Sequence, residues 1–383
     1  MTDEQNQQPT EEKEAPYGTQ AERPARAIGF PCARCGNQMS YSPVHGKLYC
    51  SYCTSQKDIG SPLREAPEYL YFPDDDRYDA PIWENEEDRL ITCASCGADT
   101  MISPAAVTAT CPFCGSHYVT EPRPSDRLIL PETMMPFRIS EEAAVKTFSD
   151  WVKKRYLAPR KFRRGTHRPE PQGIYIPTWT FDAALDTDFN GFGGRRRVRH
   201  YTVRVNGKTQ TRTRTVIDWY PVSGSRQLHF DDIPVIASKN IDRGLLEKVS
   251  PYSMKVLHVY DPAYLAGFLS ERYSVSLSGG FAEARRIMEC RMCAHIEASL
   301  GYDTYRGMQY RHRFHDVRFK HILLPLWIAT YRYRGKLYPF MVNGETGRAA
   351  GRAPLSPLKI ALLVFGGIAL LGLLIFLFMM LGE

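Results

Sequence analysis

"CARCGNQMSYSPVHGKLYCSYC", residues 32 to 53, carries two C-x-x-C pairs, Cys32/Cys35 and Cys50/Cys53, separated by fourteen residues. A tetrahedral zinc site needs four thiolates about 2.3 Å from the metal, and two C-x-x-C turns at the ends of a β-hairpin deliver them. The spacing returns at residues 93 to 114, "CASCGADTMISPAAVTATCPFC", where Cys93, Cys96, Cys111 and Cys114 form a second set. Each stretch covers only 22 residues between outer ligands. That is too few to bury a core, so metal binding has to supply the folding free energy, on the order of 10 kcal/mol. The repeat predicts two zinc ribbons holding two structural zinc ions. The 39 residues from Thr54 to Thr92 disfavour ligands shared between the sets. A four-cysteine shell leaves no open position for a catalytic water.

A glycine after the second cysteine of a pair lets the backbone turn with positive φ and aim amides at sulfur. Gly36, Gly97 and Gly115 fit that requirement, and Thr54 departs from it. The remaining pair, Cys290 and Cys293, sits in "FAEARRIMECRMCAHIEASL". His295 nearby suggests redox chemistry, but the pattern is helical, and a mid-helix cysteine lacks the N-terminal dipole that lowers a redox thiol's pKa. These two read as ordinary helix residues.

Outside the cysteine sets, the chain of 383 residues has an ordinary globular balance, 43% hydrophobic and 24% charged. Residues 1–28 are polar, acidic and proline-rich, with no apolar export signal, and read as a disordered tail. Charge then divides the molecule: residues 1–130 carry a net −9 and residues 131–383 a net +16. Much of the acid lies in "YFPDDDRYDAPIWENEEDR", which reads as an extended linker over 57–90 between ribbons at 29–56 and 91–120. Two separate beads are expected.

At the far end, "IALLVFGGIALLGLLIFLFMML", residues 360–381, runs without a charge. At about 1.5 Å per residue it crosses a hydrocarbon layer of roughly 30 Å. Arg348, Arg352 and Lys359 precede it and only Gly382 and Glu383 follow. The positive-inside bias then predicts a tail-anchored protein of the cytoplasmic membrane, single-pass, with the bulk of the chain in the cytoplasm.

Between ribbons and anchor, residues 130–350 read as a basic, β-rich mixed domain, making the whole chain α+β. "SEEAAVKTFSDWVKKRYLAP" predicts a helix with Ser140 as N-cap and Phe148, Trp151 and Val152 on one face. "RRRVRHYTVRVNGKTQTRTRTVIDWYPV" predicts a hairpin about Asn206-Gly207 in which Arg199 faces Arg214, a costly pair unless an acid lies near. "IYIPTWTFDA" and "ILLPLWIATY" echo each other, so Pro177/Trp179 and Pro325/Trp327 mark equivalent core strands of a duplicated unit. Arg334-Gly335 and Asn343-Gly344 have turn composition. The "GKT" at Gly207 is no phosphate loop, because Thr202 stands where the first glycine is needed.

The paired "CxxCG" ribbons, "MMPFRIS", "IYIPTWTFDA", "LLPLWIATYRYRGKLYPFMVNGETGRAAG" and the terminal apolar helix together resemble bacterial membrane-anchored double-zinc-ribbon proteins. These carry a transcription-factor-IIB-type zinc ribbon and are often labelled primosomal-protein-N-prime-like. The resemblance covers nearly all of the chain after residue 28 and implies association with phage-shock or flotillin-like membrane-stress proteins. With scattered carboxylates and histidines and no nucleophile set, the expectation is a non-catalytic membrane interaction scaffold acting on no small-molecule substrate. The alternative is a membrane-tethered nucleic-acid binder, against which the acidic linker argues. Anionic lipids are a further expected partner, met through Arg196, Arg197, Arg199, Arg212 and Arg214.

Overall fold

In the computed structural model, residues 27–60, 67–72, 89–92, 99–102, 106–110, 117–120, 129–164, 171–205, 208–239 and 241–381 are described. β1 (Ala27–Ile28) precedes the first cysteine set; β2 (Ser40–Ser42), β3 (Lys47–Tyr49) and β4 (Gln56–Lys57) form a three-stranded sheet around it. β5 (Tyr69–Leu70) follows, then two antiparallel pairs, β6 (Arg89–Thr92) with β7 (Asp99–Ile102) and β8 (Thr108–Thr110) with β9 (His117–Thr120).

The rest comprises β10 (Thr133–Met134), α1 (Glu141–Lys153), α2 (Arg160–Arg164), β11 (Gln172–Val205), β12 (Lys208–Ile236), α3 (Arg243–Val249), β13 (His258–Val259) and β14 (Leu269–Ser270). Then come α4 (Leu277–Leu300), β15 (Thr304–Tyr333), β16 (Lys336–Asn343), β17 (Ala349–Gly351) and α5 (Pro357–Leu381). A nine-stranded sheet runs β12-β11-β15-β10-β13, with β5, β14, β16 and β17 on its margins. The α+β, sheet-rich class read from the sequence holds.

The expected separate beads do not. β1, ahead of the first cysteine set, pairs with β9, behind the second. Tyr69–Leu70 of the expected linker pairs with β15 at Phe319 and Arg318. Strands of two to four residues are marginal by themselves and gain hydrogen bonds and cover by joining a neighbour.

β11 shows why the long sheet is stable in one part and bare in another. Residues 175 to 181 are buried without interruption, the pattern of a strand covered on both faces. From Phe181 to Phe189 burial alternates: Phe181, Ala183, Leu185, Thr187 and Phe189 point inward while Asp182, Ala184, Asp186 and Asp188 stay partly exposed. α4 supplies the cover, with Ala284, Met288, Met292 and Ile296 at fourfold spacing packed in one cluster with Leu185 and Phe189. Gly280 permits its approach, since a Cβ there would stand 2.7 Å from Trp179 Cδ1. β15 begins beside Gly194, so beyond it β11 and β12 continue as a two-stranded arm, Arg195–Val205 against Lys208–Asp218.

The echoed segments lie side by side. Ile176 pairs with Leu324, its own counterpart in the echo, while Ile174 pairs with Leu326 and Thr178 with Ile322. A local two-fold axis therefore passes between them. It extends to the edges: β10 joins β15 in parallel at Thr133–Ile322, and β14 joins β11 in parallel at Leu269–Ile174. Both tryptophans are buried and satisfied, Trp179 Nε1 donating to Val275 O (2.9 Å) and Trp327 Nε1 to Ile139 O (2.9 Å). α1 begins at Ser140, whose hydroxyl accepts from Ala143 N, and buries Phe148, Trp151 and Val152.

Candidate metal centre

The two knuckles of the first set fold by the same bonds. Cys32 N donates to Asn37 O (2.7 Å) and Gly36 N to Cys32 O (2.8 Å); Cys50 N donates to Ser55 O (2.9 Å) and Thr54 N to Cys50 O (2.9 Å). Gly36 sits at φ 77° and Thr54 at φ 61°, so the threonine occupies the left-handed position that its glycine counterpart fills without strain. The β2–β3 hairpin brings the knuckles together. The Cys32, Cys35, Cys50 and Cys53 sulfurs all lie within 4.8 Å of one another, with Cys32–Cys53 and Cys35–Cys50 each at 3.5 Å.

A Zn–S bond near 2.3 Å places tetrahedral sulfurs about 3.8 Å apart, whereas a disulfide would bring them to about 2 Å. The donor set therefore fits one thiophilic ion. Amides of Arg34 and Cys35 donate to Cys32 Sγ and lower its thiol; the hydroxyl and amide of Ser55 do the same for Cys53, bringing it to about 6. At Cys35 the Asn37 amide acts in the same sense, but partial desolvation and three neighbouring sulfurs outweigh it and push that thiol up to about 12. A divalent cation removes this competition by holding four thiolates at once.

The centre is fixed to the main domain. Cys32, Met39, Leu48 and Cys50 pack with Ala263 and Ala266. Tyr41 N donates to Ala266 O (2.9 Å), and Tyr41 Oη donates to the Phe137 carbonyl (3.0 Å) inside the largest core cluster.

The second set, Cys93, Cys96, Cys111 and Cys114, lies outside the described residues. Its flanks are described: β6 pairs with β7 across residues 93–98, and β8 with β9 across 111–116. β8 also docks, as Ser270 N donates to Thr108 Oγ1 (2.8 Å) and Val107 N to Ser270 O (3.0 Å). Among the described residues one four-cysteine cluster stands ready for metal, and the count of two ions has no structural support there.

Cys290 and Cys293 fall in the middle of α4. Cys293 is 3.9 Å from His312 Nε2, and its thiol is pushed up, first by burial and then by Cys290 and two glutamates. A raised thiol far from a helix N-terminus is the reverse of a redox nucleophile.

Sequence reasoning missed one cluster. Asp182, Asp231 and Asp232 converge where β12 bulges opposite Asp182 of β11, and Asp182 rises to about 6, chiefly through burial. Its cation is already present: Lys320 Nζ stands 2.7 Å from Asp232, 3.1 Å from Glu68 and 4.0 Å from Asp182. These carboxylates gave no spacing signal, because the bulge and Glu68 of the linker bring together positions far apart in the sequence.

Five of the seven arm arginines occupy one face. Arg195, Arg197 and Arg199 on β11 share it with Arg212 and Arg214 on β12, and Arg199 pairs with Arg214 as the two-residue turn requires. The acid this pair needs is Asp218, 3.1 Å from Arg197 and 3.8 Å from Arg199. Arg196, opposite Ile217, is on the other face. α5, from Pro357, is long and apolar enough to cross a membrane, and none of that span is buried.

Over 346 aligned residues the chain is 30% identical to the uncharacterized protein YdjG of Bacillus subtilis (strain 168), covering 89% of this chain and 94% of that protein. The chain belongs to the YdjG family. The aligned length takes in most of the folded chain, so the family likeness extends well beyond the cysteine sets. No family model matches the chain, and no solved structure does.

Proposed function

We propose that this chain is a membrane interaction scaffold: a non-catalytic, zinc-ribbon protein anchored by α5 and facing the cytoplasm. Zinc is the ion proposed for Cys32, Cys35, Cys50 and Cys53, and a second zinc for Cys93, Cys96, Cys111 and Cys114. Arg348, Arg352 and Lys359 before the anchor support the cytoplasmic side. One observation carries the reading. The cysteine centre is bonded through Tyr41 to the same core that holds the sheet, and that sheet projects an arm with five arginines on one face and no core of its own. A rigid body with a bare cationic arm suits capture of an acidic protein surface. Membrane-stress proteins of the phage-shock or flotillin-like class are the proposed partners.

A second reading has its own support: a two-stranded β-ribbon fits the major groove of duplex DNA, and arginines on one face could follow phosphates. The deciding experiment is a cross-linked pulldown from membranes with nuclease-treated controls. Wild type is compared with a variant carrying Arg197→Gln, Arg199→Gln, Arg212→Gln and Arg214→Gln. The scaffold reading expects protein partners that survive nuclease and are lost with the arm charges. Capture that disappears with nuclease would transfer the function to nucleic acid.

A further inference from the structure

The sequence assigns anionic-lipid contact to the arm arginines, but the fold separates them from the anchor. Arg195 lies 23 residues along β11 from Gln172, which is the end of the strand near the anchor, so on the order of 75 Å of strand intervenes at about 3.3 Å per residue. A different basic segment is at the anchor itself. Lys359 Nζ donates to the carbonyls of Tyr156 (2.7 Å) and Ala158 (2.6 Å), and Ser356 N donates to Leu157 O (2.9 Å). These bonds hold residues 156–158 against the first turn of α5.

The segment so held is "KKRYLAPRKFRR", Lys153–Arg164, with seven basic residues and no acid. Lys153, Lys154, Arg155, Arg160 and Lys161 are exposed. Among the described residues Lys153 forms an ion pair with Asp150 at 3.0 Å, and Lys154 acts on the same carboxylate from further off. Arg155 lies over the Trp151 ring and Arg163 over Tyr156, which fixes their planes beside aromatic rings. Apolar side chains are bare at the same place: Tyr156 is 72% exposed, and Leu355 and Leu358 are 63% and 70% exposed. Arg334 and Lys336, exposed at the turn after β15, adjoin it through Tyr333, whose ring is 6.0 Å from Phe162.

We infer that Lys153–Arg163 is a platform for anionic phospholipid headgroups, resting on the bilayer surface around the foot of α5. The inference rests on the reading of α5 as an anchor. If α5 enters the hydrocarbon near Pro357, whatever is hydrogen-bonded to its first turn lies at headgroup depth. There, tyrosine and leucine side chains sink toward the acyl boundary while lysine and arginine meet phosphate. An acidic peptide would satisfy the charges but not the bare apolar rim, which continues directly into the anchor.

The test uses the full chain in nanodiscs of neutral phosphatidylcholine, with and without phosphatidylglycerol, reading retained lipid by native mass spectrometry. Wild type should enrich phosphatidylglycerol, less so as salt rises. Together Lys154→Gln, Arg155→Gln, Arg160→Gln and Lys161→Gln should cut the enrichment about tenfold, whereas the four arm substitutions named above should leave it unchanged. Equal retention by wild type and the platform variant, or loss in the arm variant instead, would overturn the inference. Salt-independent retention by wild type would overturn it without any variant. Inorganic phosphate added to neutral discs distinguishes the free anion. Protection of residues 153–163 from hydrogen exchange to the extent given by phosphatidylglycerol would sink the headgroup assignment. Release of the full chain by alkaline wash would remove the anchor reading and this inference together; retention with unselective lipid would remove the inference alone.

Discussion

The two ends of β11 are one strand under opposite conditions. Residues 175 to 181 are sealed on both faces, whereas Arg195 to Thr202 are exposed without exception. At the root, burial of Tyr175, Ile176, Trp179 and Phe181 provides the stability, and the polar groups present must be paired or neutral. At the tip, cross-strand hydrogen bonds and β-prone Val, Thr and Tyr hold the ribbon paired, and arginines guard its edges against other strands. The length of a strand and the stability it brings are therefore separate properties. The root specifies the fold, and the tip adds exposed charge to it.

The root is bonded to the cysteine centre and the tip is not, which gives the largest expected contrast. Structural zinc sites bind with an apparent free energy on the order of 10 kcal/mol. Cys50→Ser, or a chelator, should unfold residues 32–57 and speed hydrogen exchange at Tyr41 and Phe137 while leaving exchange at residues 195–205 unchanged. Metal analysis of fresh, reduced protein should give at least one ion per chain and one fewer in the variant. No bound metal in wild type would break the assignment.

Packing provides the next contrast. Trp179→Ala empties a fully buried site and should cost about 3–5 kcal/mol, while Val198→Ala at the tip should change stability by no more than about 0.5 kcal/mol. Thermal melting in detergent checks both, and comparable losses would mean that the arm has a covered face.

The root should also respond to acid. His321, opposite Trp179, is buried, with Nδ1 2.7 Å from Ile129 O, and burial lowers its pKa to about 4. A lowered folded-state pKa means the unfolded chain takes up the proton first. Stability from this residue is therefore full above about pH 6.5 and falls between 6.5 and 4, by about 3 kcal/mol at most. His321→Gln should flatten the stability profile in that window. An unchanged slope would mean that His321 is protonated in the fold.

These contrasts show where the sequence was legible. α1 could be read because its signals are local: a serine cap, two acids in the first turn, and three large apolar residues on one face. The Arg199–Arg214 register was legible because a two-residue turn leaves no choice. The full length of β11 was not, since Asn190-Gly191-Phe192-Gly193-Gly194 has the composition of a turn. The fold uses two of those glycines for clearance instead: a Cβ at Gly193 would stand 2.4 Å from the Tyr302 ring, and one at Gly194 2.6 Å from Ile217. The Lys320 charge cluster was illegible for a related reason, being assembled from four distant segments. At the cysteine centre the ligands were evident from spacing, but its docking depends on Tyr41, which no motif marks.

Within the cysteine centre itself, the Thr54 knuckle is strained and the Gly36 knuckle relaxed. A β-branched residue at φ 61° is strained, and its hydroxyl donates to the adjacent Cys53 carbonyl at 2.7 Å. Thr54→Gly should stabilise the centre by about 1 kcal/mol, part of the relief being offset by the freer unfolded chain. Metal retention against a competing chelator is the measurement, and weaker retention would mean that the hydroxyl contributes more than the strain costs.

The smallest expected effect on stability belongs to the tip. Asp218 stands between Arg197 and Arg199 on the face where Arg199 meets Arg214, with the arginine side chains about two-thirds exposed. Exposed ion pairs contribute between about 0 and 1 kcal/mol, and solvent on both faces of the arm screens this one further. Asp218→Asn should accordingly shift melting by less than about 0.5 kcal/mol. Its effect on association should be larger, because among the described residues the substitution removes the acid paired with the cationic face of five arginines. If the arm captures acidic surfaces, the variant should associate faster with its partner, with a steeper salt dependence, while the melting temperature stays nearly fixed. If Asp218 is needed to keep the ribbon paired, melting and hydrogen exchange at residues 195–205 should worsen together, and the arm would be a stability element after all.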